Sequence, residues 1–239
     1  MTMKTSNYIL IAFFTFLFGG TFVLFLTAKI YNKTDNSITW TCEEKKLEPF
    51  SVVVAEPGAD FSLQIECHDP IIRCAHPPKE ASVFPPFTVR NDTLFVSALA
   101  TETEVRTPRV TETEVRTLSV TVRSIKSVIA KEKSYVRLFD FYADSLSVKL
   151  TNAASDISFK ETKSKAAMLS IQATDSRINF DNVHVNNIDI QISKTRINGW
   201  GNSTECLSGT LKDHSFLSLV KIRKINLETD STSTYQLDK

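Results

Sequence analysis

A short motif returns along the second half of the chain: a serine or threonine, any residue, then an aliphatic residue, set just after a polar turn. It occurs at Ser134-x-Val136, Ser155-x-Ile157, Ser176-x-Ile178, Thr195-x-Ile197 and Ser215-x-Leu217. Successive aliphatic positions lie 21, 21, 19 and 20 residues apart. An alternating apolar strand precedes each later copy: Leu146, Val148, Leu150; Leu169, Ile171, Ala173; Ile188, Ile190, Ile192; Leu207, Leu211. Polar turns such as Asn152, Thr174-Asp175 and Lys194 join the two strands of each repeat. A period of about 20 residues made of two short strands and turns is a solenoid pattern. One coil cannot bury its apolar face alone, whereas stacked coils make the returning aliphatics into one core. The spacing predicts Val136, Ile157, Ile178, Ile197 and Leu217 in a single column. A β-sandwich, whose strands also recur at short intervals, is the competing architecture.

The rest of the chain fits an all-β reading. Thr, Ser, Val, Ile and Phe are abundant, and there are only six glycines. From Phe50, FSVVVAEPGADFSLQIEC gives two strand-like runs around a Pro57-Gly58 turn, and FTVRNDTLFVSAL gives a hairpin around Asn91-Asp92. Between them Pro77, Pro78, Pro85 and Pro86 forbid a regular central strand. The segment TETEVRT occurs twice, at 101–107 and 111–117; polar on both faces, it reads as a duplicated exposed loop. The expected organisation is an anchor at 1–31, a linker at 32–49 and one solenoid domain at 50–239. Within that domain, 50–99 are capping strands, 100–118 the duplicated segment and 119–239 the coils.

Residues 8–28, YILIAFFTFLFGGTFVLFLTA, carry no charge. As a helix they would span roughly 30 Å, the thickness of a bilayer's hydrocarbon core. The expectation is one N-terminal transmembrane helix, with the lipid bilayer as its partner. A cleaved signal peptide is the rival, though the apolar run is long for one and no A-x-A site follows. Lys4 precedes the run while Lys29 and Lys33 follow it, a small bias that would put the domain in the cytosol.

With these residues in view, the chain resembles the bacterial auto-transporter adhesin head (GIN) domain family over about Phe50 to Leu237. The resemblance rests on the opening F-x-V-x-V strand at Phe50, the V-x-N-x-T-L-x-V segment from Val89 to Val96, LSVTVRSIK from Leu118 to Lys126, and the coils. It implies a single-stranded right-handed parallel β-helix on an exported bacterial protein, in a family mostly of unknown function. On that ground the C-terminal domain is expected outside the cytoplasmic membrane, periplasmic or extracellular. The turns depart from the family in lacking glycines; Asn, Asp, Ser and Lys stand there instead, and Asn and Asp tolerate a left-handed backbone.

Reactive chemistry is sparse. Cys67, His68, Cys74 and His76 are candidate metal ligands by residue type, but their spacing matches no zinc module, and adjacent residues on extended backbone point apart. Cys67 and Cys74 are also a candidate disulfide, with six residues between them. No G-x-S-x-G elbow, P-loop or G-x-G-x-x-G occurs. His184 and His214 read as turn or surface residues. Asp140, Asp144, Asp156, Asp175 and Asp181 are scattered among turns, where carboxylates commonly bond the backbone. No catalytic residue and no cofactor is expected. Three triplets, at Asn32, Asn91 and Asn202, fit the N-glycosylation pattern. Trp200, in the turn Asn198-Gly199-Trp200-Gly201-Asn202, is the candidate ligand-binding aromatic; its ring either faces out or closes the coil inward.

A net charge of +1 with interspersed signs gives no basis for a nucleic-acid partner. The leading expectation is a membrane-anchored, envelope-facing, non-enzymatic binding or scaffold module, with a protein or glycan ligand on the solenoid face. One alternative is a cytosolic, membrane-tethered β-helix that polymerises as bactofilins do. The other is a β-helix enzyme acting on polysaccharides.

Overall fold

A computed structural model describes residues 13–24, 27, 41–65, 69–76, 84–98, 117–139, 144–158 and 168–238. The chain divides into two units, Met1–Thr39 and Trp40–Lys239. In the first, residues 13–24 are helical, with Phe13, Phe16, Phe18, Phe22 and Leu24 exposed. Among the described residues no helix is long and apolar enough to cross a membrane. The remainder of the expected 8–28 span, except Thr27, lies outside the described residues.

The second unit is all β. Its first strands are β1 (Thr41–Lys46), β2 (Val52–Ala55), β3 (Asp60–Ile65), β4 (Ile71–His76), β5 (Phe87–Arg90), β6 (Thr93–Val96) and β7 (Thr117–Val122). Then come β8 (Ser127–Ala130), β9 (Tyr135–Phe139), β10 (Ser145–Thr151), β11 (Ala154–Ser158), β12 (Met168–Thr174) and β13 (Arg177–Asp181). The last are β14 (His184–Ser193), β15 (Arg196–Trp200), β16 (Ser203–Lys212), β17 (Phe216–Val220), β18 (Ile222–Thr229) and β19 (Thr234–Asp238). They form a ten-stranded sheet, β1-β4-β7-β3-β9-β11-β13-β15-β17-β19, and a nine-stranded sheet, β18-β16-β14-β12-β10-β8-β2-β6-β5.

From β8 onward each coil places one strand in the nine-stranded sheet and the next in the ten-stranded sheet, and successive coils pair in parallel. That pairing makes a parallel β-solenoid and excludes an antiparallel sandwich. The pair β2–β3 is itself a coil, stacked in parallel under β8 and β9. Before reaching β8 the chain makes an excursion that adds β6 and β7 as a further coil, paired in parallel with β2 and β3 on their other side. In that excursion β4 pairs antiparallel with β1 and β7, and β5–β6 form an antiparallel hairpin. Part of the stretch read as linker, Thr41–Lys46, is therefore strand β1.

The nine-stranded sheet keeps the expected alternation in register. Leu146, Leu169, Ile188 and Leu207 form one inward column, and Val148, Ile171 and Ile190 form the next. The ten-stranded sheet corrects the expected column. Ile178, Ile197 and Leu217 are in register, but Val136 stands opposite Ser155. Ile157 sits two residues on, between Leu138 and Phe180. The reason is the corner: the turn at Asn152 makes Ala153 the first inward residue of its coil, so the Ser-Asp-Ile triplet starts two residues late. Ser155 occupies the aliphatic place, and its buried hydroxyl donates to the Val136 carbonyl at 2.8 Å. All five aliphatics are fully buried, in two adjacent columns. Each such side chain contributes about 1.5–3 kcal/mol by leaving water.

Two glycines sit where the stack is tightest. Gly209 (φ 132°) lies against the backbone of Ile190, where any Cβ would strike the carbonyl oxygen. A Cβ on Gly199 would instead meet the side chains of Asn202 and Leu219.

Candidate functional site

The corner that leads from the nine-stranded to the ten-stranded sheet has an inner and an outer layer. The chain turns there on Lys133, Asn152, Asp175, Lys194 and Asp213, with φ of 57°, 48°, 49°, 50° and 55°. Directly after the first four lie Ser134, Ala153, Ser176 and Thr195, and after Asp213 and His214 (φ 63°) lies Ser215, all buried. The hydroxyls form a ladder between coils. The N–H of Ala153 donates to Ser176 Oγ (3.2 Å), that of Ser176 to Thr195 Oγ1 (3.3 Å), and that of Thr195 to Ser215 Oγ (3.3 Å). Each of these hydroxyls donates in turn to a nearby carbonyl: Ser176 to Thr174, Thr195 to Ser193, Ser215 to Lys212. A buried N–H without a partner is costly, so this ladder holds the corner in place.

Outside the ladder an open groove of about 590 Å³ follows the corner along the solenoid. Its floor is small, at Ala153 and Ala154. One column of the ten-stranded sheet runs Tyr135, Ala154, Arg177, Arg196, Phe216 in strict register and supplies one wall. Neighbouring strands lie about 4.8 Å apart, so the two arginines stand side by side, an arrangement that like charges resist. Lys133 and Lys194 rise from the turn itself. Among the described residues none of these four cations forms an ion pair. Arg73, Lys131, Arg137 and Arg223, by contrast, are each paired with a carboxylate.

Local contacts set the orientation of the wall. The Arg196 guanidinium lies 4.9 Å from the centre of the Phe216 ring, and its Nε donates to Asn198 Oδ1 at 3.3 Å. At the other end the Tyr135 hydroxyl donates to Asp156, which also accepts from Asn179 Nδ2 at 2.8 Å. Burial, then the hydrogen bond and charge of Asp156, push the Tyr135 phenol up to about 12, so it stays a neutral donor. A left-handed backbone is unfavourable for lysine, which has no short side chain to bond locally. Lys133 and Lys194 therefore stand against backbone preference, as does Lys221 (φ 55°) outside the groove.

The residues singled out from sequence fall as follows. Trp200 is 77% exposed, on the outward face of β15 and in register with Asp181; its ring does not close the coil. Cys67, His68 and the His76 side chain lie outside the described residues, and Cys74 is buried in the core near the cap. The metal set and the Cys67–Cys74 bridge lie with them. Among the described residues no three His, Cys, Asp or Glu side chains gather to hold a metal. Asp140 lies outside the described residues and Asp144 is exposed. Asp181 accepts from Asn182 Nδ2 at 2.9 Å. Asp175 and His214 border the groove, whereas His184 meets Ser203 Oγ at 2.7 Å on the other sheet. Asn202 is buried and its Oδ1 accepts from the Val183 N–H, so it is closed to glycosylation in the folded chain.

The arginine pair was not among the expected site residues, yet the sequence carries a signal for it. Ser176-Arg177-Ile178-Asn179 and Thr195-Arg196-Ile197-Asn198 share Arg-Ile-Asn after a hydroxyl residue, one coil apart.

No protein-family model matches the chain, and no curated protein matches its sequence. Solved structures do resemble it. A protein from Parabacteroides distasonis bearing the name "putative adhesin" is 10% identical, covers 84% of this chain and 94% of its own, and superposes with a TM-score of 0.50. One from Bacteroides fragilis with the same name is also 10% identical, with coverage of 83% and 97% and a TM-score of 0.48. A "putative lipid binding protein" from P. distasonis is 12% identical, with coverage of 83% and 93% and a TM-score of 0.40. At such identity what is shared is the fold: this chain has the β-solenoid architecture of the P. distasonis adhesin-named protein.

Proposed function

We propose that the chain is a non-enzymatic binding module, anchored in a membrane by residues 8–28 and facing the bacterial envelope. The observation that carries the binding reading is the corner groove: four cations without ion pairs among the described residues, set between two aromatic rings on a rigid wall. Rigid, repeated surfaces suit ligand capture along an elongated face. Two outward carboxylates of this face are already engaged, Asp156 by Tyr135 and Asn179 and Asp181 by Asn182, which disfavours a poised acid–base pair. The fold shared with an adhesin-named protein supports the same reading, and with it the finer one that the chain is a right-handed coil of the GIN domain type.

The anchor rests on the charge-free run itself. Its polar groups also look inward: Thr21 and Thr27 donate their hydroxyls to the carbonyls of Leu17 and Val23, as a lipid-facing helix requires. At the far end of the stack, Arg223, Lys224 and Glu228 line β18. Charges along an edge strand discourage strand pairing between copies, which favours a module acting singly over an end-to-end polymer.

Two measurements test this. In cells carrying the full chain, alkaline carbonate should leave it in the membrane fraction, and protease added to spheroplasts should digest the domain. Release by carbonate removes the anchor, and protection in spheroplasts that is lost on lysis puts the domain in the cytosol. A polysaccharide panel incubated with the chain should show retention without shortening. Chain cleavage there would overturn the non-enzymatic reading.

A further inference from the structure

Resting on that binding reading, we propose that the corner groove takes an acidic polysaccharide laid along the solenoid axis, with carboxylates of successive sugars held by Arg177 and Arg196. Three observations select this class. The first is the guanidinium pair. Arginine's planar fork matches a carboxylate in bidentate fashion, and two such residues stand in register on β13 and β15, one strand spacing apart. Like charges side by side cost stability, and a ligand of opposite sign converts that cost into affinity.

The second is the repeat. Coils advance by about 4.8 Å, close to the length of one pyranose unit, so a glycan parallel to the axis meets an equivalent site at every coil. The groove continues from Lys133 to Phe216 along that axis, and its floor at Ala153 and Ala154 leaves room for a chain rather than a point ligand.

The third is the mixture of groups. Asn152 and Asp175 stand among the cations and offer acceptors for hydroxyls. Hydroxyl-rich sugars with spaced charges suit that mixture. A duplex nucleic acid carries one charge about every 1.7 Å of its axis, much denser than the coil spacing of about 4.8 Å. Lys133 and Lys194 extend the positive field to either side.

The test uses the full chain in nanodiscs, with polygalacturonate as probe, its fully methyl-esterified form as neutral control, and single-stranded DNA as competing polyanion. Polygalacturonate should bind in preference to both. The double variant Arg177→Gln/Arg196→Gln should weaken that binding about tenfold or more, the loss expected for removing charge-assisted hydrogen bonds. Lys149→Gln/Lys224→Gln removes the same charge from the outward face of the nine-stranded sheet and should leave affinity within about twofold, since those sites are remote from the groove. Equal weakening by both pairs, or tighter binding of DNA, would overturn the proposal in favour of nonspecific polyanion binding. Equal binding of the esterified glycan would overturn the carboxylate claim while leaving a binding module. Shortening of the polygalacturonate would leave the ligand class standing and sink the non-enzymatic reading. No binding of any probe would sink the ligand class.

Discussion

The two outward faces of the solenoid are made by the same coils and have diverged. On the coil of β12 and β13, Gln172 faces out from one sheet and Arg177 from the other; on the next coil the pair is Gln191 and Arg196. In register, the nine-stranded face reads Ser147, Ser170, Asp189, Ser208 and Lys149, Gln172, Gln191, Thr210. The ten-stranded face reads Tyr135, Ala154, Arg177, Arg196, Phe216. Inside, both sheets bury a mainly apolar face. The stacked interior therefore does not dictate which residues face outward on either sheet. The comparison teaches that one face is tuned for stacking and the other keeps a feature that stacking alone would remove.

The largest expected difference between the sheets concerns their close approaches. Gly209→Ala places a Cβ against the Ile190 carbonyl at a φ that L-residues avoid, and backbone cannot yield. It should cost about 4 kcal/mol or more. Gly199→Ala meets only side chains, Asn202 and Leu219, which can shift; it should cost about 1–3 kcal/mol. Urea unfolding of both variants measures this directly. Equal costs would show that the two sheets pack alike and weaken the contrast.

Next in size is the hydroxyl ladder that backs the groove. Thr195→Val keeps the shape of the side chain but leaves the Ser176 N–H without its acceptor. The loss should be about 1–3 kcal/mol. Ser208→Ala on the other face removes only a part-buried bond to Asp189 at 3.1 Å, and should cost about 0.5–1 kcal/mol. Thermal shift at fixed pH separates the two.

Much of the fold could be read from the sequence because burial imposes a period. Leu146, Val148 and Leu150 recur as Leu169, Ile171 and Ala173 since every coil must fill the same interior, and the turns at Asn152, Asp175 and Lys194 take the left-handed backbone that polar turns suggest. Two things escaped. Ser155 mimics the repeat two residues late, because a three-residue pattern does not record where the corner lies. The stacking of β2–β3 beneath β8–β9 escaped because β4 to β7 lie between them in the chain, with β6–β7 stacked on the other side of β2–β3, and sequence order hides pairing across such a gap. The groove was harder still. Outward residues answer to no hydrophobic period, and Lys133, Arg177, Lys194 and Arg196 meet only through register. The repeated Arg-Ile-Asn phrase was the one local trace.

A smaller effect distinguishes the faces by pH. Tyr135 ionises at about 12 in the fold against an ordinary value of about 10. Its neutral form is therefore favoured by folding, so the stability it adds is complete below about pH 10 and fades as pH rises towards 12. Tyr135→Phe should cost about 1 kcal/mol at neutral pH, the worth of an ordinary hydrogen bond, and should flatten the alkaline loss. A stability–pH profile unchanged by the substitution would mean that the Asp156 bond does not form in solution.

The smallest effect bears most directly on why the faces differ. Arg177 and Arg196 repel across adjacent strands, so Arg177→Gln should raise stability by about 0.2–0.5 kcal/mol at low salt. The gain should shrink as added salt shortens the Debye length to about 3 Å near 1 M. The converse experiment moves the pair to the other face: Gln172→Arg/Gln191→Arg puts two arginines in register on β12 and β14, and should cost a similar, equally salt-sensitive amount. If the gain and the loss mirror each other, the arginines are a burden wherever they stand, and the pair on the ten-stranded face does not serve the fold. If Arg177→Gln instead destabilises, the pair serves the fold through its stacking and hydrogen bonds, and the difference between the faces is structural after all.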